Sequence, residues 1–333
     1  MHVGNAELIE SSLFDRIIFA LAFYGMQFCF CKKVMFIWIN AVYYKLLYFV
    51  RYIMTPEEII GTLKNVEILD GPFEGGQKKV YKCKINNEIN ALKFIRSSKA
   101  GDEEEIRCVR EIQTLKNCNS DYLIKIGEIP YSEYKIDDGH IIYYSEEWID
   151  GYTLYAPIKE ENLFSERQII KMAREISYAI EELWNHNKVH RDIKPMNIMY
   201  DQTRDRYVLL DLGMIFDSTE ATLTKYGCLV GTMGYYSPEQ FDLSRKSDLD
   251  FRSDLFCLGI VMYQLLTGRH PFISKGDNND MVFHKIKYET PAKILDFRED
   301  ITNTLEETIF RLLRKRPSER FRSCEMFRRY LER

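Results

Sequence analysis

The sequence predicts an α+β fold in two unequal parts, a small and mainly β part followed by a larger and mainly α part. Three patterns carry that expectation. Asn90-Ala91-Leu92-Lys93-Phe94-Ile95 alternates as a strand does, and Glu104 to Leu115 follows with the spacing of one helix. Ser165 to Asn185 is an amphipathic helix opened by Ser165 with Gln168 three residues on, a capping box. Asp254 to Thr267 is apolar nearly all round, so that helix should be buried.

With 333 residues the chain can bury a substantial core. Its net charge of −4 argues against a nucleic-acid-binding surface. The eight cysteines are scattered without a C-x-x-C pair, so neither zinc nor a disulfide framework is indicated. Free thiols in a reducing cytoplasm are the simplest reading. The acidic-polar stretches 98–105 and 275–280 suit surface loops or helix starts.

The run Val189 to Gly213 holds the densest chemistry. Asp192, Lys194, Asn197 and Asp211 lie where phosphoryl transfer needs a proton acceptor, a mobile cation and two hard oxygen ligands. Asp192 would accept the proton of the attacking hydroxyl. Asn197 and Asp211 suit Mg²⁺, which prefers carboxylate, amide and phosphate oxygens. A solvated Asp-rich turn would not place these residue types in this order and spacing.

Upstream, the 90–95 strand carries Lys93, and the following helix offers Glu111 as its ion-pair partner. Before them, Gly71 to Tyr81 is rich in glycine. With Val80 in register, Phe73 and Lys78 replace two of three expected glycines and Gly75 is kept; Gly76 adds freedom, and Lys78 and Lys79 offer cations to phosphate. Downstream lie Gly231-Thr232-Met233-Gly234-Tyr235-Tyr236-Ser237-Pro238-Glu239, then Asp254, then Arg320 in a basic stretch.

In these motifs the chain resembles the eukaryotic-type (Hanks-type) protein kinases, from about Glu67 to Leu331. Lys194 and Thr232 resemble the serine/threonine branch. The resemblance implies a bilobal α+β fold, with an N-lobe at 54–147 built of strands and one key helix and a mainly helical C-lobe at 148–333. It implies ATP and Mg²⁺ as cofactors and a protein substrate with a serine or threonine acceptor. Lys93 would hold the phosphates, with Glu111. Adenine would lie between Val80, Ala91 and Met199, beside the hinge residues Glu147 and Ile149. Asp254 would anchor the catalytic loop from below, and Arg320 would pair with Glu239. Arg191 would receive a phosphate on the segment holding Ser218, Thr219, Thr222, Thr224 and Tyr226, or brace the loop through backbone carbonyls. Glu146 falls at the guard of the back pocket, where a buried carboxylate needs a partner unless the register shifts by one. A pseudokinase scaffold and a kinase-like small-molecule phosphotransferase are the alternative readings. The altered glycine loop favours the first; the 231–239 segment opposes the second.

Residues 1–53 differ in composition. Ile17–Cys31 and Val34–Val50 are apolar and aromatic, with Lys32, Lys33, Lys45 and Arg51 between or after them. The first run is shorter than the roughly 20 residues that span a bilayer. Three readings stay open: an anchor at a membrane surface, an upstream extension ahead of a natural start at Met54, and a helix pair packed on the kinase. The expected location is cytoplasmic, with membrane association through this segment under the first reading.

Overall fold

A computed structural model describes residues 55–75, 78–97, 101–136, 139–217, 233–242 and 249–333. All of them belong to one unit, Met54–Arg333. The segment 1–53 lies outside the described residues.

The unit opens with α1 (Pro56–Thr62), started by a capping box in which Thr55 and Glu58 exchange bonds and by Pro56 in the first turn. Then come β1 (Val66–Gly75), β2 (Lys78–Ile85), β3 (Glu88–Ser97), α2 (Glu103–Asn117), β4 (Ser132–Ile136) and β5 (Gly139–Glu147). The five strands form one antiparallel sheet in the order β1-β2-β3-β5-β4. Asn86 and Asn87 make the β2–β3 turn with φ of 47° and 75°, which asparagine tolerates well and which suits a tight hairpin. Gly71 adopts φ 111°, and a Cβ there would meet the Val80 carbonyl oxygen at 2.9 Å, so β1 bends over β2 only with glycine at this point. The sheet buries both faces. Ile59 and Ile60 of α1 pack with Tyr81, Cys83, Leu92 and Phe94 on one. Cys108 and Ile112 of α2 pack with Ile95, Ile142 and Tyr144 on the other.

Beyond β5 the chain turns mainly helical. It runs through β6 (Gly151–Thr153), α3 (Tyr155–Lys159), α4 (Glu166–Asn185), β7 (Lys188–Val189), β8 (Ile198–Asp201), β9 (Arg206–Leu209) and β10 (Phe216–Asp217), then α5 (Phe251–Thr267), α6 (Asn279–Tyr288), α7 (Asn303–Leu312) and α8 (Cys324–Leu331). The Ser165–Gln168 capping box forms as expected. Helix α5 is buried along nearly its whole length, as its composition demands. Gly259 lets α5 approach α7 closely, since a Cβ there would lie 2.8 Å from the Leu312 Cβ. The core around α4 and α5 supports β8 and β9, whose hairpin presents the site. Among the described residues, no helix is long and apolar enough to cross a membrane.

Candidate active site

The catalytic loop, residues 190–197, leaves β7 and is pinned from beneath before any functional group appears. Asp254 of α5 accepts from the backbone N–H of His190 at 2.8 Å and of Arg191 at 2.9 Å, one on each oxygen. Burial pushes the Asp254 carboxyl up to about 6, against the pull of His190 and the two amides. His190 holds the Leu210 carbonyl at 3.0 Å, which ties the loop to the strand end before Asp211. Arg191 sits at φ 65°, a conformation unusual outside glycine that the surrounding bonds must enforce. Its Nε donates to the Met214 carbonyl at 2.9 Å, and its guanidinium lies over the Phe216 ring. Arg191 thus braces the loop through a backbone carbonyl.

This scaffold aims three side chains at one point. Lys194 Nζ and Asn197 Nδ2 both donate to Asp192 Oδ2, at 2.7 and 2.8 Å. Asn197 Nδ2 also reaches the Asp192 carbonyl, so Asn197 Oδ1 is the atom left for a cation. Asp192 Oδ1 is buried and accepts no hydrogen bond. A carboxylate with one oxygen fixed by two donors and the other unspent is suited to accept a proton. Burial pushes its pKa up, against the pull of Lys194.

Asp211 faces this group with φ 58° and accepts from Gly213 N–H at 3.2 Å. Burial works against its charge, but Lys78 and Lys93 hold its carboxyl well below the usual carboxylate range. It therefore stays an anionic oxygen donor. Asn197 Oδ1 and Asp211 are hard oxygen donors of the kind that suits a divalent ion such as Mg²⁺.

One expected pair is not formed. Lys93 does not meet Glu111. Its Nζ lies 2.6 Å from Glu146 Oε2, over the Tyr144 ring at 5.7 Å. Glu111 instead accepts from Leu212 N–H at 3.3 Å and lies 3.6 Å from Lys78 Nζ, which also donates to Asp211 Oδ1 at 2.9 Å. The register explains the exchange. Lys93 stands opposite Tyr144 and Ala91 opposite Glu146, so Lys93 and Glu146 are diagonal neighbours on one sheet face. Lys93 is the partner that the buried Glu146 requires.

At the hinge, Glu147 gives its side chain to the C-lobe hairpin, with Arg206 at 2.7 Å and Arg204 at 3.1 Å. Arg206 also donates to the Asp121 carbonyl. Nothing local in the sequence signals this clamp, because Arg206 lies 59 residues from Glu147. Val80 is opposite Lys93 and Ala91 is two residues away, so both share the cleft face; Met199 lies on β8 below. Ile149 is buried. Phe73, at a glycine position, meets Trp148 ring to ring at 5.9 Å and so links β1 to the hinge. Gly75 ends β1, whereas Gly76 lies outside the described residues, as do Ser218, Thr219, Thr222, Thr224, Tyr226, Gly231 and Thr232.

Past that segment, Glu239 and Arg320 form the expected pair, bidentate at 2.6 and 2.9 Å. Gln240 Nε2 donates to the Arg191 carbonyl at 2.9 Å and so joins this region to the catalytic loop.

Comparison with known proteins agrees with this geometry. The sequence model of the protein kinase domain matches residues 74–330. Among curated relatives, the serine/threonine-protein kinase pkn3 of Myxococcus xanthus is 31% identical over 80% of this chain and 49% of its own length. PknB of Mycolicibacterium smegmatis is 28% identical over 82% of this chain and 43% of its own. PrkC of Bacillus subtilis is 28% identical over 81% and 40%. The chain thus spans less than half the length of these relatives. By fold, by the constellation around Asp192 and by similarity, the chain belongs to the Hanks-type protein kinase family, on its serine/threonine branch.

Proposed function

We propose that this chain transfers the γ-phosphoryl group of ATP to a serine or threonine hydroxyl of a protein, with Mg²⁺ as the divalent ion. The observation that carries the reading is Asp192, whose Oδ2 is fixed by Lys194 and Asn197 while its buried Oδ1 is unspent. In this reading Asp192 Oδ1 accepts the proton of the attacking hydroxyl and orients it. Lys194, already beside Asp192, offers its ammonium to the oxygen that gathers charge. Asn197 Oδ1 and Asp211 hold the metal ion, which when bound neutralises phosphate charge. Val80, Ala91 and Met199 enclose the adenine, and the hinge backbone at Glu147 and Ile149 meets its edge. Because the phosphoryl group needs little covalent help, positioning and charge make most of the rate.

The test is incorporation of radiolabel from ATP into the chain itself and into casein, with wild type beside Asp192→Asn. Nucleotide binding without transfer in the wild type would favour a pseudokinase. For residues 1–53 the proposal is attachment to an anionic membrane surface through their aromatic and basic residues. Failure of the full chain to sediment with anionic vesicles would remove it.

A further inference from the structure

Lys78 as well as Lys93 reaches from the sheet to the acidic groups of the cleft. Lys78 and Val80 of β2 and Lys93 and Ile95 of β3 are cross-strand partners, with Lys78 opposite Ile95 and Val80 opposite Lys93. Alternation along a strand therefore puts Lys78 and Lys93 on the same face, above Glu111 and Asp211. They are not equivalent there. Lys93 is the deeper, with a side chain 12% exposed, and is bound to Glu146, itself 3% exposed. Lys78 is 25% exposed and holds both Asp211 and Glu111.

Charge couples Lys78 to Glu146. A single lysine against Glu111 and Asp211 leaves one negative charge in excess. Adding Lys78 alone would force two ammonium groups into one low-dielectric cleft. Adding Glu146 with it restores the same excess of one. Returning Lys93 to Glu111 would strand Glu146, whose Oε1 already accepts no hydrogen bond.

We infer that Lys78, on the strand that follows the glycine-rich turn, is the lysine that contacts the nucleotide phosphates, and that Glu146 holds Lys93 out of that role. The inference rests on the phosphotransfer reading above. It makes Lys78 the direct link from the glycine-rich turn to Glu111 of α2 and to the metal-binding Asp211. Lys93 and Glu146 become a closed pair that fills the back of the cleft.

The experiment compares the full chain with Lys78→Met and with the double variant Lys93→Met/Glu146→Met, which removes the pair without leaving a buried charge. Each is measured for radiolabel transfer from ATP, for binding of a fluorescent ATP analogue, and for melting temperature. Lys78→Met should lose transfer on the order of 10²-fold and bind the analogue more weakly while remaining folded at the assay temperature, and the double variant should stay within about tenfold of wild type. Full activity of Lys78→Met, or a double variant that melts normally and has lost transfer, overturns the inference and leaves the kinase reading intact. If the double variant does not fold, Lys78→Met decides alone, because Lys78 is partly exposed and Glu111 keeps its bond from Leu212. A wild type that neither transfers phosphate nor binds the analogue overturns both.

Discussion

Two buried charge clusters in this chain use the same groups to opposite ends. At the base of the C-lobe, Arg320 spends every N–H group: Nη1 on Glu239 and the Arg252 carbonyl, Nη2 on Glu239 and the Lys315 carbonyl, Nε on the Arg314 carbonyl. Ser253 adds a further bond to Glu239 at 2.7 Å. In the cleft, burial is as deep, yet Asp192 Oδ1 accepts nothing. A saturated pair can only hold position, since any change breaks several bonds at once. A cluster with an unspent oxygen can take up a proton or an ion. Saturation, more than depth, separates framework charges from working ones.

The strongest way to break that contrast is at Asp192. Asp192→Asn should lower phosphate transfer by roughly 10²–10⁴-fold, the usual contribution of a positioned base, and leave the melting temperature alone. A variant with wild-type turnover would show that Asp192 is framework after all. Arg320→Ala should do the reverse. Leaving Glu239 buried and unpaired should cost about 3–5 kcal/mol, seen as an early thermal transition, while the molecules still folded transfer phosphate normally. An unchanged transition would mean that the saturated pair holds nothing.

A half-satisfied but uncharged group sharpens the comparison. His270 is half-buried against Tyr235; its Nδ1 accepts from Phe272 N–H at 3.1 Å while its Nε2 is buried without such a bond, and desolvation of the ring holds its pKa down to about 4. The folded chain therefore resists protonation that the unfolded chain accepts. Stability from this group is complete above pH 6.5 and is lost as the pH falls toward 4. His270→Asn should flatten the acid decline of the melting temperature over that range without touching transfer. Identical pH profiles for variant and wild type would defeat the idea. The smallest effect is expected at a helix start. Ser165→Ala removes one N-cap and should cost about 1 kcal/mol, again with transfer unchanged; loss of activity there would mean that framework and site are not separable.

What the sequence determined by itself is what short-range geometry settles. Asp192, Lys194 and Asn197 lie within one short loop, so their residue types and spacing nearly imply their convergence, and the structure brings them together at 2.7–2.8 Å. The Ser165 cap and the buried α5 are local in the same sense, since a capping box spans four residues and an all-apolar helix has no face to show to water. The Glu239–Arg320 pair was legible only through the family resemblance, because nothing local joins positions 81 residues apart. Which lysine meets Glu111 was decided by tertiary structure. Lys78 and Lys93 lie on different strands, and only the antiparallel register places both on one face, with Glu146 diagonal to Lys93. The Arg206–Glu147 clamp is of the same kind. Charges compete for partners over a few ångströms in a medium of low dielectric, and the winner depends on distances that no spacing along the chain encodes.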